Sequence, residues 1–155
     1  MLRIPSSLRK EHEEIMQSLR IASKMNDETG NAVRELMKSL EPHFEKEEKY
    51  AMPALGALPE LVSGDKIRDL KEIADLQGAL LQEYETMFQE HEILRRWIEQ
   101  AKKEAYREHH EETVDLLDAL AHHAKVEEEV LYPAALLAGT LAKFMLPNAN
   151  KESLG

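Results

Sequence analysis

A repeated arrangement of histidine, glutamate and proline constrains this sequence more than any other feature. In each copy a histidine is followed by a glutamate four residues later and by a proline ten residues later. The first copy contains His43, Glu47 and Pro53, and the second contains His123, Glu127 and Pro133. Side chains at positions i and i+4 project from the same face of a helix, about 5–6 Å apart at Cβ. We therefore expect both copies to lie on helices, with imidazole and carboxylate side by side.

A further histidine precedes each copy at a matching distance. His12 lies 31 residues before His43, and His91 lies 32 residues before His123. Four imidazoles and two carboxylates are the donors that a pair of metal ions in a helical bundle requires. The candidate metal ligands are His12, His43, Glu47, His91, His123 and Glu127.

The hydrophobic periodicity predicts an all-α fold, since no stretch alternates apolar and polar residues as a half-buried strand would. Four helical stretches are expected, the first beginning near Ser6 and the others covering about 31–50, 66–105 and 106–141. Short connections within each half favour antiparallel neighbours. The prediction is an up-down-up-down four-helix bundle, built from two helix pairs related by a pseudo-twofold axis on which the candidate ligands lie.

The boundaries follow from helix-breaking residues and from length. Residues 53–65 are expected to form a loop between the halves, because Pro53, Gly56, Pro59 and Gly64 interrupt any helix. The third stretch would be about 60 Å long as one helix, which predicts a bend near Gly78 or an overhang that packs elsewhere. The inward face of the fourth stretch is expected to comprise Leu116, Leu120, His123, Glu127, Val130, Ala134, Leu137 and Leu141. The chain, 1–155, is interpreted as one domain with a core of about 6–141 and a polar tail at 147–155.

Composition excludes several classes of function. A net charge of −10 argues against binding to nucleic acid or to an anionic membrane, both of which favour basic patches. No apolar run approaches the roughly 18–20 residues that span a bilayer. The absence of cysteine excludes disulfides and iron–sulfur clusters. The residues after Met1 lack the apolar core of a secretory signal, so a cytoplasmic protein is expected.

A structural explanation must be weighed for each of these residues. A lone histidine on an apolar face is usually a core or partly exposed residue, but here the whole set recurs in both halves. Burying ionised Glu47 and Glu127 without a cation would cost several kcal/mol or force them neutral. His109, His110 and His122 are expected at the surface or outside the ligand layer, with His122 the alternative to His123. Glu11, Glu13 and Glu90 are expected to point mostly outwards, and Glu48 and Glu128 to face solvent or a neighbouring helix. The aromatic residues at helical spacing are interpreted as core, with shaping of the pocket as the alternative; these are Tyr50, Tyr84, Trp97 and Tyr132.

The paired histidine–glutamate elements, their Tyr-Pro-like endings and the upstream histidines resemble the hemerythrin-like HHE cation-binding domain over roughly residues 8–137. The resemblance implies a non-haem centre of two iron ions, bridged by an oxo or hydroxo group, inside a four-helix bundle, with other divalent metals possible. It implies that Glu47 and Glu127 bridge the metals. His12 and His43 would serve one iron, with His91 and His123 on the other or shared, and the sequence does not decide which histidines share a metal.

The chain departs from the oxygen-carrying hemerythrins. Those have a fifth histidine one turn from the ligand of the third helix, where this chain has Met87 and Arg95 on either side of His91, and an aspartate bridge where it has Glu127. Fewer histidines leave a more open site, which favours reaction or sensing over reversible oxygen carriage. The expected ligand is dioxygen, nitric oxide or peroxide, in sensing, stress response or iron handling. The alternatives are an oxidase or ferroxidase-type enzyme and a zinc- or manganese-binding regulatory bundle.

Overall fold

A computed structural model of the chain describes residues 2–64 and 67–147, and within these ranges all regular structure is helical, with no strand. The elements in chain order are α1 (Ser6–Ala22), α2 (Glu28–Tyr50), α3 (Met52–Gly56), α4 (Leu58–Ser63), α5 (Leu70–Arg107), α6 (Glu111–Val126), a π-helical segment (Glu127–Leu131) and α7 (Tyr132–Met145). The last three follow one another without a gap and form the fourth long rod beside α1, α2 and α5. This confirms the predicted all-α, up-down-up-down bundle.

The interior consists of two apolar clusters. One contains Leu19, Leu36, Leu40, Ile98 and Leu117, and the other contains Ile73, Leu80, Met87, Tyr132 and Ala138, with further neighbours in each. Along α2, α5 and the fourth rod, the predicted ligands lie between the residues that contribute to the two clusters. The polar layer is therefore enclosed by hydrophobic packing on both sides, which keeps water away from it.

The segment between the two halves is not the helix-free loop that the sequence predicted. α3 and α4 occupy most of residues 53–64, and each has a proline, Pro53 or Pro59, in its first turn. Proline is favoured there, because the first backbone N–H groups of a helix have no internal partner. Gly64 ends α4 in the left-handed conformation. Ala54, Leu55 and Leu61 are buried, so these turns cover one end of the bundle.

The helix α5 is continuous over 38 residues, about 57 Å at 1.5 Å per residue. The helix is not broken near Gly78, and the predicted alternative, an overhang that packs elsewhere, is observed. The first turns of α5 pack on α7, where the amide of Gln77 donates to the carbonyl of Leu136 at 2.9 Å. Gly139 allows this close approach, because a Cβ at that position would lie 2.3 Å from the Cβ of Gln77. The overhang is thus integrated into the fold.

The predicted inward face of the fourth rod is only partly correct: Leu120, His123 and Glu127 are buried, and Leu116 and Ala134 are half-buried. Val130, Leu137 and Leu141 are exposed, and the buried side chains that follow Glu127 are Tyr132, Ala135, Ala138 and Ala142. The π-helical segment explains the difference, since one extra residue in a turn rotates the following helix by about 100°. This rotation turns Tyr132 into the bundle interior.

No helix among the described residues is long and apolar enough to cross a membrane. The predicted tail, 147–155, lies outside the described residues except for Pro147, as do residues 65 and 66 at the predicted join of loop and third helix.

Candidate metal centre

All six predicted ligands meet in one layer of the bundle, and each is between 0 and 5% exposed. α1 contributes one histidine, α2 a histidine and a glutamate, α5 one histidine, and the fourth rod a histidine and a glutamate. Their polar atoms form two groups that share both carboxylates, His12 with His123 and His43 with His91. His12 and His43 lie in different groups, so the grouping that the resemblance implied, which the sequence left undecided, is not the one observed. Each group combines one histidine from each half, and a pseudo-twofold axis between the halves would exchange the two groups.

The group around His43 and His91 is tightly convergent. The Nε2 atoms of these two imidazoles are 2.7 Å apart. Oε1 of Glu47 lies 3.0 Å from Nε2 of His43, and Oε2 of Glu127 lies 3.2 Å from Nε2 of His91. Donor atoms bound to one cation at about 2.1 Å and at right angles lie about 3.0 Å apart. The observed separations match a shared cation.

The group around His12 and His123 has the same composition and takes the other two carboxylate oxygens. The two Nε2 atoms are 3.2 Å apart. Oε2 of Glu47 lies 3.4 Å from Nε2 of His12, and Oε1 of Glu127 lies 2.5 Å from Nε2 of His123. Each glutamate thus directs one oxygen to each group. A carboxylate that divides its oxygens in this way is suited to bridging two cations.

Carboxylates on neighbouring helices orient the imidazoles. Nδ1 of His43 donates to Glu90 at 2.7 Å, and Nδ1 of His91 donates to Glu128 at 2.8 Å. Because Nδ1 carries the proton, Nε2 of each neutral ring has a free lone pair. The two Nε2 atoms, of His43 and His91, face each other at 2.7 Å. Such an approach is unfavourable unless a positive charge lies between the two nitrogens, and a metal cation supplies it.

The orienting carboxylates form a closed ring around the bundle. Each one reaches a histidine on an adjacent rod, and the contacts are Glu11 with His123, Glu128 with His91, Glu90 with His43 and Glu48 with His12. The first three are hydrogen bonds, whereas Glu48 lies 3.5 Å from Nδ1 of His12, which has no hydrogen bond. Glu90 does not point outwards as predicted, and Glu11, whose side chain is 49% exposed, still reaches His123. Glu48 and Glu128 take the second of the two directions predicted for them, towards a neighbouring helix. They lie beside the ligands in sequence, and the direction in which they project faces a neighbouring helix.

Basic residues support only one side of this ring. Lys46 binds Glu90, and Arg95 binds Glu128 at 2.6 Å. Arg95 thus occupies the position one turn after His91 and holds the carboxylate that orients this ligand. In the described ranges no lysine or arginine pairs with Glu11 or Glu48, and the two groups therefore differ in their surroundings.

Unsatisfied buried oxygens indicate that the site fits a cation. Oε2 of Glu47 and Oε1 of Glu127 are buried without a hydrogen-bond partner. The latter lies 2.5 Å from His123 without hydrogen-bond geometry, so both atoms point towards a common position rather than towards each other. Buried charges of this kind require a partner or a metal. Imidazole and carboxylate donors without thiolate suit iron, manganese and zinc.

Protons take the place of the cation while the site is metal-free. Burial alone lowers the pKa of His91, but hydrogen bonds with Glu127 and Glu47 outweigh it and raise that pKa to about 10. Burial also opposes the charge on His123, and Glu127 again prevails, so that its pKa rises to about 9. Burial would raise the pKa of Glu127, whereas the adjacent imidazoles of His12, His123 and His91 lower it well below the ordinary value. Cation binding therefore releases protons.

Aromatic residues complete the layer in two different ways. The ring of Phe44 stacks on His12, with centroids 3.6 Å apart and planes within 5°. On the other side the hydroxyl of Tyr132 hydrogen-bonds to Glu47 and lies 3.2 Å from Nε2 of His91. The sequence interpretation placed Tyr132 among aromatic residues that are core or shape the pocket, and it did not assign this contact. The π-helical segment, which places this side chain, has no signature in the hydrophobic pattern.

The remaining histidines lie outside the centre. His122 is exposed, so His123 is the ligand candidate on this helix. His110 bonds to Asp27 at 2.6 Å, and Glu108 completes a partly exposed cluster with them. These carboxylates already cap α2, because Asp27 accepts from the backbone of Gly30 and Glu108 accepts from Thr29. The cluster links the start of α2, in the first half, to the connection between α5 and α6, in the second half.

Comparison with known proteins supports a cation site. A family model described as the hemerythrin HHE cation binding domain matches residues 3–135, which include all six candidate ligands. No curated protein and no solved structure matched the chain.

Proposed function

The chain belongs to the hemerythrin HHE cation-binding family, and from the arrangement of its donors we propose that it holds a pair of iron ions that bind or react with dioxygen, nitric oxide or peroxide. One observation carries the proposal. Glu47 and Glu127 each direct one oxygen to the His12/His123 group and the other to the His43/His91 group. Two cations joined by both carboxylates account for this division better than one cation does.

The protein's contribution is a rigid and dry site. The imidazoles are held by carboxylates on neighbouring helices, which fixes the ring orientation and keeps Nε2 available. The apolar clusters on both sides limit access of water. A bound iron pair would supply a centre that accepts small molecules and exchanges electrons with them. Histidine and carboxylate ligands leave coordination positions for such molecules, since the described layer offers few further donors.

Iron or manganese is favoured over zinc by the type of site. Helical bundles that hold their metals with glutamate and histidine from facing helices are typical of di-iron and di-manganese proteins. Structural zinc sites are usually closed, tetrahedral and rich in cysteine, which this chain lacks. A zinc- or manganese-binding regulatory bundle is the second candidate, because imidazole and carboxylate accept these ions as well.

The deciding experiment measures metal content and optical absorption on protein purified without added metal and then exposed to air. We expect about two irons per chain and absorption in the near ultraviolet from the bridged pair. Zinc, manganese or less than about half a metal per chain would overturn the iron proposal and favour the regulatory bundle.

A second assay separates sensing from catalysis. Iron-loaded protein is mixed with dioxygen, nitric oxide or peroxide, with and without a reductant, and consumption is followed over many equivalents. A sensor binds one small molecule per centre and stops. An oxidase or ferroxidase-type enzyme continues as long as reductant is supplied. The variant His122→Gln serves as a control in both assays, because its side chain is exposed beside the centre.

A further inference from the structure

The hydroxyl of Tyr132 lies among the candidate ligands of only one group. It is 3.3 Å from Nε2 of His43 and 3.2 Å from Nε2 of His91, and it donates its hydrogen to Oε1 of Glu47. The residue is 1% exposed, so no water competes for this oxygen. A phenol has a single hydrogen, which Glu47 receives. The contacts with the two nitrogens therefore involve the lone pairs of the oxygen, which either accept a hydrogen from a protonated imidazole or bind a cation.

These distances are those expected of a further donor to the same cation. Donor atoms at right angles around a cation, with bonds of about 2.1 Å, lie about 3.0 Å apart. The hydroxyl oxygen is nearly equidistant from the two imidazole nitrogens, and these nitrogens are themselves 2.7 Å apart. The hydroxyl oxygen therefore lies beside both nitrogens, where a further donor to the same cation would be placed.

Among the residues that the structure describes, the other group has no such oxygen. The internal repeat places Met52 where the second half has Tyr132, since each directly precedes the proline of its copy. Met52 is buried and carries no hydroxyl. Phe44 stacks on His12 instead, and a surface groove of about 360 Å³ includes His12, Phe44 and Glu48 in its lining.

We infer that Tyr132 is a protein ligand of the metal held by His43 and His91, and that the two metal positions are consequently inequivalent. The inference rests on the proposed metal pair. On coordination the O–H bond of the phenol is replaced by a bond from oxygen to the metal, and the proton leaves to solvent. The His43/His91 position then has five protein donors, and the His12/His123 position has four. An exogenous molecule would therefore bind at the His12/His123 position, which has fewer protein donors among the described residues.

The test uses a spectroscopic signature of phenolate bound to iron(III), which is a charge-transfer band in the visible region with resonance-enhanced tyrosine vibrations. Full-length wild type, Tyr132→Phe and Tyr84→Phe are loaded with iron(II), oxidised in air and examined for iron content and for this band. Tyr84 is a matched control, because its ring packs 6.2 Å from that of Tyr132 on the same side of the site. We expect the band in wild type and in Tyr84→Phe, and its loss in Tyr132→Phe with iron retained.

The outcomes separate this inference from the proposed function. Wild type that holds about two irons per chain without a phenolate band overturns the role of Tyr132 and leaves the iron pair intact. Wild type that retains no iron overturns both. If Tyr132→Phe does not fold, wild type grown with ring-deuterated tyrosine decides the question. A shift of the enhanced vibrations supports a tyrosine ligand, and unchanged vibrations overturn it.

Discussion

Nδ1 of His91 donates a 2.8 Å hydrogen bond to the carboxylate of Glu128, which belongs to the π-helical segment of the neighbouring rod. Arg95 holds the same carboxylate at 2.6 Å. The bond fixes the proton of His91 on Nδ1 and leaves Nε2 to face His43. A residue that is not itself a candidate ligand thus determines how a ligand presents its lone pair.

Replacing Glu128 with glutamine is expected to weaken metal binding by about 10–100-fold, because a neutral amide orients and polarises the imidazole less strongly than a carboxylate. The measurement is a competition titration with a chelator of known affinity. Glu129→Gln is the control, since this neighbour is exposed and pairs only with Lys125 at the surface. Equal affinities for the two variants would contradict a role of Glu128 in orienting His91.

Replacing His123 with glutamine is expected to remove at least half of the bound metal. The melting temperature of the loaded protein should fall by about 5–10 °C, because binding energy of a few kcal/mol is lost from the folded state. His122→Gln should change neither quantity, since that side chain is exposed. Metal content is measured by elemental analysis, and the melting temperature by circular dichroism. Full metal content in His123→Gln would remove this histidine from the ligand set.

The candidate ligands could be predicted from the sequence, because a histidine and a glutamate four residues apart share one face of a helix. The helix periodicity likewise predicted Leu120 on the inward face of the fourth rod, where it is buried. The pairing of His12 with His123 was not accessible, since it depends on which rods are adjacent across the bundle. The same holds for Glu11, Glu48, Glu90 and Glu128, whose partners lie on other helices.

The π-helical segment was the largest gap between sequence and structure. Val130, Leu137 and Leu141 continue the apolar spacing of the fourth rod, so a regular α-helix was the natural interpretation. One additional residue in the turn at Glu127–Leu131 moves this face outwards. Small residues at Ala135, Ala138, Gly139 and Ala142 were the available signal, because their spacing permits the close approach of α5.

Alkaline pH is expected to destabilise the metal-free protein and not the loaded one. The pKa of His91 is raised to about 10 and that of His123 to about 9, so protonation stabilises the fold fully below about pH 6.5 and this stabilisation is lost as the pH rises through about 9–10. Melting temperatures of both forms between about pH 6.5 and 9.5 test this. We expect the difference between them to widen with pH.

The same titration is expected to appear in metal binding. Each imidazole that must lose a proton contributes about a tenfold gain in affinity per pH unit below its pKa. Proton release on addition of metal to weakly buffered protein at neutral pH measures this directly. Binding without proton release would show that His91 and His123 are neutral in the metal-free protein.

Alanine at Gly78, in the α5 overhang, and alanine at Gly139, in its partner α7, should change the free energy of unfolding in opposite directions. A Cβ on Gly139 would lie 2.3 Å from Gln77, so Gly139→Ala is expected to lower the free energy of unfolding by about 1–3 kcal/mol through overpacking. A Cβ on Gly78 meets nothing within 4 Å, so Gly78→Ala is expected to raise it by about 0.5–1 kcal/mol through helix propensity. Denaturant titration of each variant with matched metal content measures both changes. Gly139→Ala should retain its metal, because the substitution lies about two turns beyond Tyr132. A neutral Gly139→Ala would mean that α7 can move away from α5 without cost, and that the overhang is not part of the cooperative fold.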